Sequence, residues 1–314
     1  RYIATKTGVR HNTLAGYKTV ANILKREEFG ARRIDTVKVS DAKLWLIKLQ
    51  SEDKRSYSSI HSIRGVMRPA FRMAVEDDLI RKNPFDWELA TVLINDSVSR
   101  EAVTPRQERL FLEFIKNDKH YSQYYKGRYI LFKTGMRVSG FCGLTLSEID
   151  MKERKIHIDK QLQRTREGNY IIADTKTTCG ERYLPMMDGV YQCFQKPLKK
   201  RKKQKVDPMI DGKAGFLVLD KNGMPYFALH WEKRYEYALG KYNRTYKEEL
   251  PKITPHVCRH TYCSNMAKSG VSPKTLQYLM GHADIATTLN VYTHLKYEDV
   301  EKEMRELEKK LSGE

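Results

Sequence analysis

The stretch HVCRHTYCSNMAKSG, residues 256–270, places two histidines, one arginine and two cysteines within its first eight positions. Side chains of these types bind metal ions, act as nucleophiles or bind phosphate groups. Each of the three roles requires different partners elsewhere in the chain, and those partners in turn determine the fold.

A metal site is disfavoured by the residues beside the histidines. His256 and His260 lie four positions apart, so both imidazoles would face the same side of a helix, as in H-E-x-x-H zinc sites. Position 257 is valine where those sites have a glutamate base, and Arg259 would repel a divalent cation. Zinc binding through the two cysteines would need ligands on opposite faces of one helix. We therefore expect no metal and no cofactor.

A phosphate-binding role fits the stretch better than a cysteine nucleophile, because no orienting carboxylate lies near either cysteine in the sequence. A guanidinium donates two hydrogen bonds to phosphate oxygens, and a neighbouring imidazole can donate a third or move a proton. Further candidates follow the same logic: Arg137 in TGMR, Lys176 in DTKTT, and His282 and Tyr292 in GHADIATTLNVYTH.

The composition indicates a polyanionic partner. Lys and Arg number 58 against 39 Asp and Glu, which gives a net charge of +19. The excess is +7 over residues 1–95 and +12 over residues 96–314, so both halves can contact one nucleic acid. A solubilising surface is the alternative explanation, but it does not require a chain that is basic throughout.

The sequence lacks the signals of a membrane or secreted protein. No apolar run reaches the roughly 18 residues of a membrane span, and no secretory segment opens the chain. Five cysteines without a C-x-x-C spacing fit reduced thiols in the cytoplasm. Because the first residue is Arg1 rather than Met, we expect a further segment before it, such as another DNA-binding domain.

The length predicts two domains, of which residues 1–95 form a bundle of short helices. Apolar residues recur with helical spacing in NTLAGYKTVANILKRE and in SDAKLWLIKLQ, where Ser40 is the predicted N-cap. A third helix is predicted with a bend at Pro69. Asn83-Pro84 ends the bundle. Residues 96–104 are predicted to link it to a second domain over residues 105–314.

Basic residues occupy one face of the third predicted helix. The candidates to lie along a phosphate backbone are His61, Arg64, Arg68 and Arg72, with Lys18 beside the stripe of the first helix. A solvated charged face explains the same pattern, so both interpretations stay open.

From residue 105 the pattern changes to mixed helix and strand. QERLFLEFIKN and SQYYKGRYILFKTG are predicted to be helical, with a turn at Gly135. Alternation around Ile156 and Ile172 predicts a small antiparallel sheet. The run KPLKKRKKQK, residues 196–205, is typical of a solvated or disordered segment, or of one that follows a phosphate backbone. The predicted fold class is α+β, mostly helical, with a helical N-terminal domain and a mixed α/β second domain.

The order of the motifs resembles the tyrosine recombinase family, which includes the phage-lambda-type integrases and their relatives on conjugative transposons. The resemblance rests on H-x-x-R-H, a G-H pair about 25 residues later and Y-T-H ten residues beyond that pair. It covers nearly the whole chain. Residues 1–95 resemble the family's core-binding domain, and residues from about 103 to 314 resemble its catalytic domain.

The resemblance implies a catalytic role for six residues. They are Tyr292, Arg137, Lys176, His256, Arg259 and His282. Tyr292 matches the nucleophile, Arg137 and Arg259 match the pair that binds the scissile phosphate, and Lys176 matches the hairpin lysine. One position departs from the family pattern, because Gly140 stands where an acidic residue usually follows the first arginine.

The implied reaction needs no metal. A phenol of pKa about 10 is a poor nucleophile at neutral pH, so its attack on a phosphodiester needs proton removal and stabilisation of negative charge. Arginines and a histidine supply that stabilisation, and a lysine protonates the leaving 5′-oxygen. The product is a 3′-phosphotyrosine, and attack by a 5′-hydroxyl rejoins DNA.

The resemblance also implies partners: double-stranded DNA with specific core sites, a tetramer during synapsis, accessory DNA-bending proteins and a location at the bacterial nucleoid. A C-terminal helix over about residues 297–311 is expected to dock on a neighbouring protomer. Its narrow apolar seam consists of Val300, Met304, Leu307 and Leu311. Docking on the chain's own catalytic domain is the alternative.

Two other functions stay open on the sequence alone. A type IB topoisomerase uses the same chemistry, but the helical N-terminal domain favours an integrase. A DNA-binding or architectural protein without activity is disfavoured because all six catalytic positions are intact.

Overall fold

The computed structural model of the chain describes residues 1–97, 101–175, 178–200 and 207–292, together with positions 301, 304, 305, 308 and 312. Side chains are described in these ranges except at positions 178 and 196–200. The chain divides into two compact units, Arg1–Ser99 and Arg100–Glu314. The fold is mostly helical with small antiparallel sheets, which confirms the predicted α+β class.

Aromatic packing organises the first unit. Its helices are α1 (His11–Leu24), α2 (Glu28–Ala31), α3 (Val39–Ser51) and α4 (Tyr57–Glu76). The ring of Phe29 stacks on Trp45 with centroids 4.5 Å apart, and Phe85 meets both rings edge-on. Phe85 is fully buried, so the segment after α4 is part of this core rather than a loose connection.

The helix periods of the first unit were predicted better than the helix ends. The apolar stripe of α3 is buried, as expected from its spacing. Ser40 as its N-cap was wrong, because α3 begins at Val39 after Lys38. The Asp41 carboxylate accepts a hydrogen bond of 2.9 Å from the Lys38 N–H, which starts the helix earlier. Helix α4 continues through Pro69 without interruption.

The second unit alternates helices with short strands. Its helices are α5 (Pro105–Asn117), α6 (Tyr125–Thr134), α7 (Val138–Gly143), α8 (Asp188–Lys200), α9 (Ala228–Thr245), α10 (Pro255–Lys268), α11 (Pro273–Met280) and α12 (Ile285–Tyr292). Its strands are β1 (Ile149–Asp150), β2 (Lys155–Ile158), β3 (Lys160–Arg164), β4 (Tyr170–Asp174) and β5 (Arg182–Pro185). None of the helices in the described ranges is long and apolar enough to cross a membrane.

Two small sheets replace the one that the alternation predicted. Strand β2 pairs antiparallel with β1 and β5, while β3 and β4 form a separate antiparallel hairpin. The separation occurs at Asp159, between β2 and β3, where the chain passes directly from one sheet to the other. A period of two predicts strands but does not say which strands pair.

Helix α10, which carries the HVCRHTYC stretch, lies inside the second unit. The side chains of Val257, Cys258 and Arg259 are buried on it, and the helix packs against α6. Val103 is buried and its N–H donates to the Thr261 hydroxyl at 3.1 Å. The end of the predicted linker, residues 103 and 104, therefore belongs to the second unit.

The basic run at residues 196–205 lies only partly in the described structure. Its first five positions belong to α8, so that part of the run is helical rather than irregular. Residues 201–205 lie outside the described residues.

Two arginines of the predicted phosphate-facing row are used to hold the segment after α4. Arg64 donates from Nη2 to the carbonyls of Phe85, at 2.9 Å, and Trp87. Arg68 forms an ion pair with Asp86, in which its Nε lies 2.9 Å from the carboxylate. His61, Arg72 and Lys18 are exposed.

We predict that Arg64→Ala lowers the free energy of unfolding by about 1–3 kcal/mol, because two carbonyls at a half-buried site lose their donor. Arg72→Ala, about two helical turns further along α4, is the matched control and should leave stability within about 0.5 kcal/mol of the parent. Urea unfolding followed by tryptophan fluorescence measures both. Equal stability of the two variants would contradict the structural role of Arg64.

Candidate active site

Three arginines converge on the end of helix α11. The last carbonyls of a helix have no partner within the helix and accept hydrogen bonds from elsewhere. Arg182 Nε donates to the Leu279 carbonyl at 2.8 Å, and Arg259 Nη2 donates to the Met280 carbonyl. Arg137 Nη2 donates to the next carbonyl, that of Gly281, at 3.3 Å. Three consecutive carbonyls thus bind three guanidinium groups.

Glycines let the backbone approach these guanidinium groups. Gly135 ends α6 in the left-handed region with φ of 62°, and its carbonyl accepts from Arg259 Nη1 at 2.8 Å. A Cβ on Gly135 would lie 2.4 Å from the Tyr262 ring. Gly281 ends α11 with φ of 60°, and a Cβ there would lie 2.8 Å from Arg182 Nη1. Glycine is the residue that fits both turns without strain.

Burial lowers the pKa of all three guanidinium groups, and neighbouring positive charge lowers two of them further. Burial lowers the pKa of Arg259 well below its usual value, and the charges of Arg137 and Arg182 lower it further. Burial, followed by the charge of Arg137, lowers the pKa of Arg182 to about 10. Burial alone accounts for the lowered pKa of Arg137. The three side chains therefore create a strongly positive electrostatic potential, and an anion placed among them would be strongly stabilised.

His282 follows Gly281 directly and joins the cluster as a neutral side chain. Burial lowers the pKa of His282 to about 4, and the charges of Arg259 and Arg137 add to that effect. Its Nδ1 lies 2.9 Å from the Thr288 hydroxyl oxygen, which fixes the ring. At neutral pH the imidazole is neutral, and if Nδ1 accepts from the Thr288 hydroxyl, Nε2 carries the N–H.

Tyr292, the last residue of α12, lies in the same unit on a separate apolar cluster with Val271 and Met266. Its hydroxyl donates to the Val271 carbonyl. The phenol is half-buried, and this hydrogen bond holds it against the turn that follows α10.

The two histidines of the opening stretch lie next to each other on α10. His256 is exposed, and its ring centroid lies 4.8 Å from that of His260. The charge of His260 also contributes to the lowered pKa of His282, so the two imidazoles lie near each other. The sequence analysis counted His260 in the H-x-x-R-H motif but gave it no catalytic role.

The environment of Lys176 is described only through its neighbours, because Lys176 itself lies outside the described residues. A pocket beside Arg137 is lined in part by residues that come just before Lys176 in the sequence and by residues in the turn after it. The pocket is lined by Arg137, Gly140, Ile158, Gln161, Thr175, Gly180 and Arg182. Thr175 and Gly180, which flank Lys176 in the sequence, therefore line the same pocket as Arg137 and Arg182.

Gly140 leaves open the space where the family pattern expects a carboxylate. A Cβ there would lie 3.7 Å from Ile158 Cγ2 and 3.9 Å from the Lys160 carbonyl oxygen, which are ordinary contacts. Sterics therefore do not require glycine at this position. The carbonyl of Gly281, rather than a side chain at position 140, is what Arg137 binds.

The cysteines do not supply a nucleophile. Burial raises the pKa of the Cys258 thiol far above neutrality, and it raises that of Cys263 to about 11. The Cys258 thiol donates to the Tyr235 hydroxyl at 3.4 Å. Among the described residues there is no cluster of three or more His, Cys, Asp or Glu side chains that could hold a metal ion.

Arg182 is the residue of this site that the sequence analysis missed. It lies on β5, where buried and exposed positions alternate, and it occupies a buried position together with Leu184. A basic residue at the inward position of a strand is the signal that could have found it, because buried arginines are rare unless they bind a specific partner.

Comparison with known proteins shows which family the chain belongs to. The sequence profile of the Phage integrase family matches residues 101–299. The transposase of transposon Tn916 from Enterococcus faecalis is 43% identical over 306 residues, which is 98% of this chain and 75% of the transposase. The Tn1549 transposon integrase, solved in complex with a circular intermediate DNA, is 41% identical with a TM-score of 0.91, covering 97% of this chain and 96% of the integrase chain.

More distant structures share the fold. A lambda integrase dimer bound to a COC′ core site matches with a TM-score of 0.63 at 17% identity, covering 92% of this chain and 91% of that chain.

Proposed function

This chain belongs to the phage integrase family and is a tyrosine-type site-specific DNA recombinase, and from that premise we propose that it moves a conjugative transposon by cutting and rejoining DNA at the transposon ends. The convergence of Arg137, Arg259 and His282 at the end of α11 is the observation that carries this proposal. A phosphate group is the anion that this arrangement fits, since two guanidinium groups and a neutral imidazole can each donate to its oxygens.

The reaction assigns each residue one step. Tyr292 Oη attacks the phosphorus, and the bond from phosphorus to the 5′-oxygen breaks. Arg137 and Arg259 stabilise the negative charge on the non-bridging oxygens, and His282 donates its N–H to one of them. The exposed His256, one helical turn before Arg259, accepts the phenol proton.

The covalent product is a 3′-phosphotyrosine, and the proton on the free 5′-hydroxyl comes from Lys176. Attack by a 5′-hydroxyl of another strand reverses these steps and rejoins the DNA. The number of phosphoester bonds is unchanged, so no ATP is needed.

The hydrogen bond from Tyr292 to the Val271 carbonyl bears on when cleavage occurs. The phenol has to leave this carbonyl before it can attack a phosphate. Binding of DNA and of neighbouring protomers is the event that we propose to drive this change.

The chain binds DNA and oligomerises, and we propose a tetramer on two duplexes as the active form, aided by accessory DNA-bending proteins at the bacterial nucleoid. His61, Arg72 and Lys18 stay our candidates for contacts with the DNA backbone in the first unit, where they are exposed. Arg64 and Arg68 bind the segment after α4 within that unit, so we expect them to contribute less to DNA binding than the other three.

The nucleophile is tested by Tyr292→Phe, which removes the attacking oxygen and keeps the ring. We predict near-normal DNA binding and no covalent adduct on a nicked suicide substrate, read on a denaturing gel. Tyr237→Phe, an exposed tyrosine of α9, makes the same chemical change elsewhere and should leave adduct formation unchanged. An adduct formed by the Tyr292→Phe protein would overturn the assignment. DNA relaxation without strand exchange by the parent chain would indicate a topoisomerase instead.

The acid is tested by Lys176→Ala on two substrates. We predict that cleavage of ordinary DNA slows by about 10² to 10⁴-fold, the usual contribution of general acid catalysis. Replacing the 5′-bridging oxygen by sulfur should restore most of the rate, because a thiolate leaves without a proton. A loss of equal size on both substrates would show that Lys176 has another role.

The C-terminal seam is tested by deleting residues 300–314. Val300, Leu307 and Leu311 lie outside the described residues, whereas Met304 is helical and 59% exposed. If the seam docks on a neighbouring protomer, the deletion should weaken cooperative binding to paired sites and leave the affinity for one half-site nearly unchanged. Gel shifts on half and full sites measure both. Undiminished cooperativity and recombination would argue for docking within the same chain.

A further inference from the structure

Arg182 is a buried charge that the proposed reaction does not use. Its side chain is 3% exposed, and its Nε and Nη1 donate at 2.8 Å to the carbonyls of Leu279 and Gly180. Its Nη2 is buried and has no hydrogen-bond partner among the residues that the structure describes. An unpaired N–H of a buried guanidinium is costly, so the position has to be stabilised by what surrounds it.

The contacts of Arg182 connect the strand that follows the Lys176 segment with the helix end that holds the other two arginines. Arg182 binds the first of the three carbonyls, and Arg259 and Arg137 bind the next two. A displacement of this helix end would move the carbonyls that bind Arg259 and Arg137 together. Gly281 is held equally closely, since a Cβ there would lie 2.9 Å from the Cys179 carbonyl oxygen and 2.8 Å from Arg182 Nη1.

The charge of Arg182 acts on the same groups. It lies close enough to lower the pKa of Arg259 and that of His282. Arg182 and Arg137 also line the same pocket, at whose wall Gly140 provides no carboxylate. The side chain therefore adds a third positive charge beside the place where the phosphate would bind.

We propose that Arg182 is a positioning residue of the recombination reaction, which holds the carbonyl row of α11 so that Arg137 and Arg259 face the scissile phosphate, and which adds its charge to their field. The proposal rests on the proposed function, because it requires that Arg137 and Arg259 bind that phosphate. Arg182 acts through these two residues and through the helix end.

The test compares two substrates that differ by one charge. One is a nicked suicide DNA with an ordinary phosphodiester at the cleavage site. The other has a methylphosphonate there, in which a methyl group replaces one non-bridging oxygen and removes the negative charge. A residue that serves to stabilise that charge matters less on the neutral substrate, whereas a folding defect slows both equally.

The variants are Arg182→Gln, which removes the charge, and Arg182→Lys, which keeps it. Arg106→Gln is the matched control, because Arg106 is 66% exposed and pairs with Glu248 away from the cluster. Thermal unfolding and half-site binding of each variant are measured first. We expect Arg106→Gln to match the parent in all assays.

We expect Arg182→Gln to form the covalent adduct about 10- to 100-fold more slowly on the phosphodiester, a smaller loss than the 10² to 10³-fold of a donor in direct contact. On the methylphosphonate its deficit should shrink to within about threefold of the parent, since the charge it stabilises is gone. Arg182→Lys should retain more of the phosphodiester rate than the Gln variant. If the Gln variant does not fold, the deficits of Arg182→Lys on the two substrates are compared instead.

Equal deficits of a folded Arg182 variant on both substrates would overturn the proposal, and so would an unchanged phosphodiester rate in Arg182→Gln. Arg137→Gln distinguishes this failure from failure of the proposed function. If Arg137→Gln recovers on the methylphosphonate and Arg182→Gln does not, only the role of Arg182 is wrong. If neither recovers, the assignment of the arginines to the phosphate is wrong as well.

Discussion

The second unit is organised around the need to keep three guanidinium groups close together with little exposure to water. Like charges repel, and taking each one out of water costs free energy that only good partners can offset. Here the partners are the carbonyls of Leu279 and Met280, which end α11, and of Gly281 directly after it. These carbonyls have no donor within the helix and lie at its negative dipole end. The family pattern would place a carboxylate at position 140. In this chain the helix end supplies the negative counterpart for Arg137.

That requirement explains several features which otherwise look unrelated. Gly135 and Gly281 have positive φ because the backbone must turn its carbonyls toward the guanidinium groups. Helix α10 is buried where it carries Arg259, although the residue type favours the surface. Tyr292 is excluded from this arrangement and binds the Val271 carbonyl instead. The backbone holds the guanidinium groups in place, whereas Tyr292 is held by a separate contact. If Tyr292 is the nucleophile, as we propose, cleavage can depend on assembly without rearrangement of the charged site.

Order and spacing in the sequence were enough to select residues that lie together in the structure. Arg137, Arg259 and His282 were identified from short motifs, and they meet in space because each motif ends or begins a helix. The outcome was different where a role depends on a distant segment. Arg64 and Arg68 look like a basic face when only α4 is considered, yet both bind residues 85–87, which the period of the helix cannot reveal. Arg182 was missed for the same reason, since its partner Leu279 lies 97 positions away. The alternation of apolar residues also could not predict which strands pair. It predicted one sheet, whereas β3 and β4 form a second sheet.

The arginine cluster also governs the protonation of His282. Burial and the arginine charges keep His282 neutral, with its pKa near 4, and hold the pKa of Arg182 at about 10. Both shifts arise because the protonated form of each side chain lies near positive charge and away from water. If the scissile phosphate binds among the guanidinium groups, as we propose, its negative charge cancels part of that positive field and raises both pKa values. By reciprocity, protonation of His282 would then strengthen phosphate binding. Under this proposal the same charges govern phosphate affinity and the protonation of His282, so a substitution that changes one of these properties also changes the other.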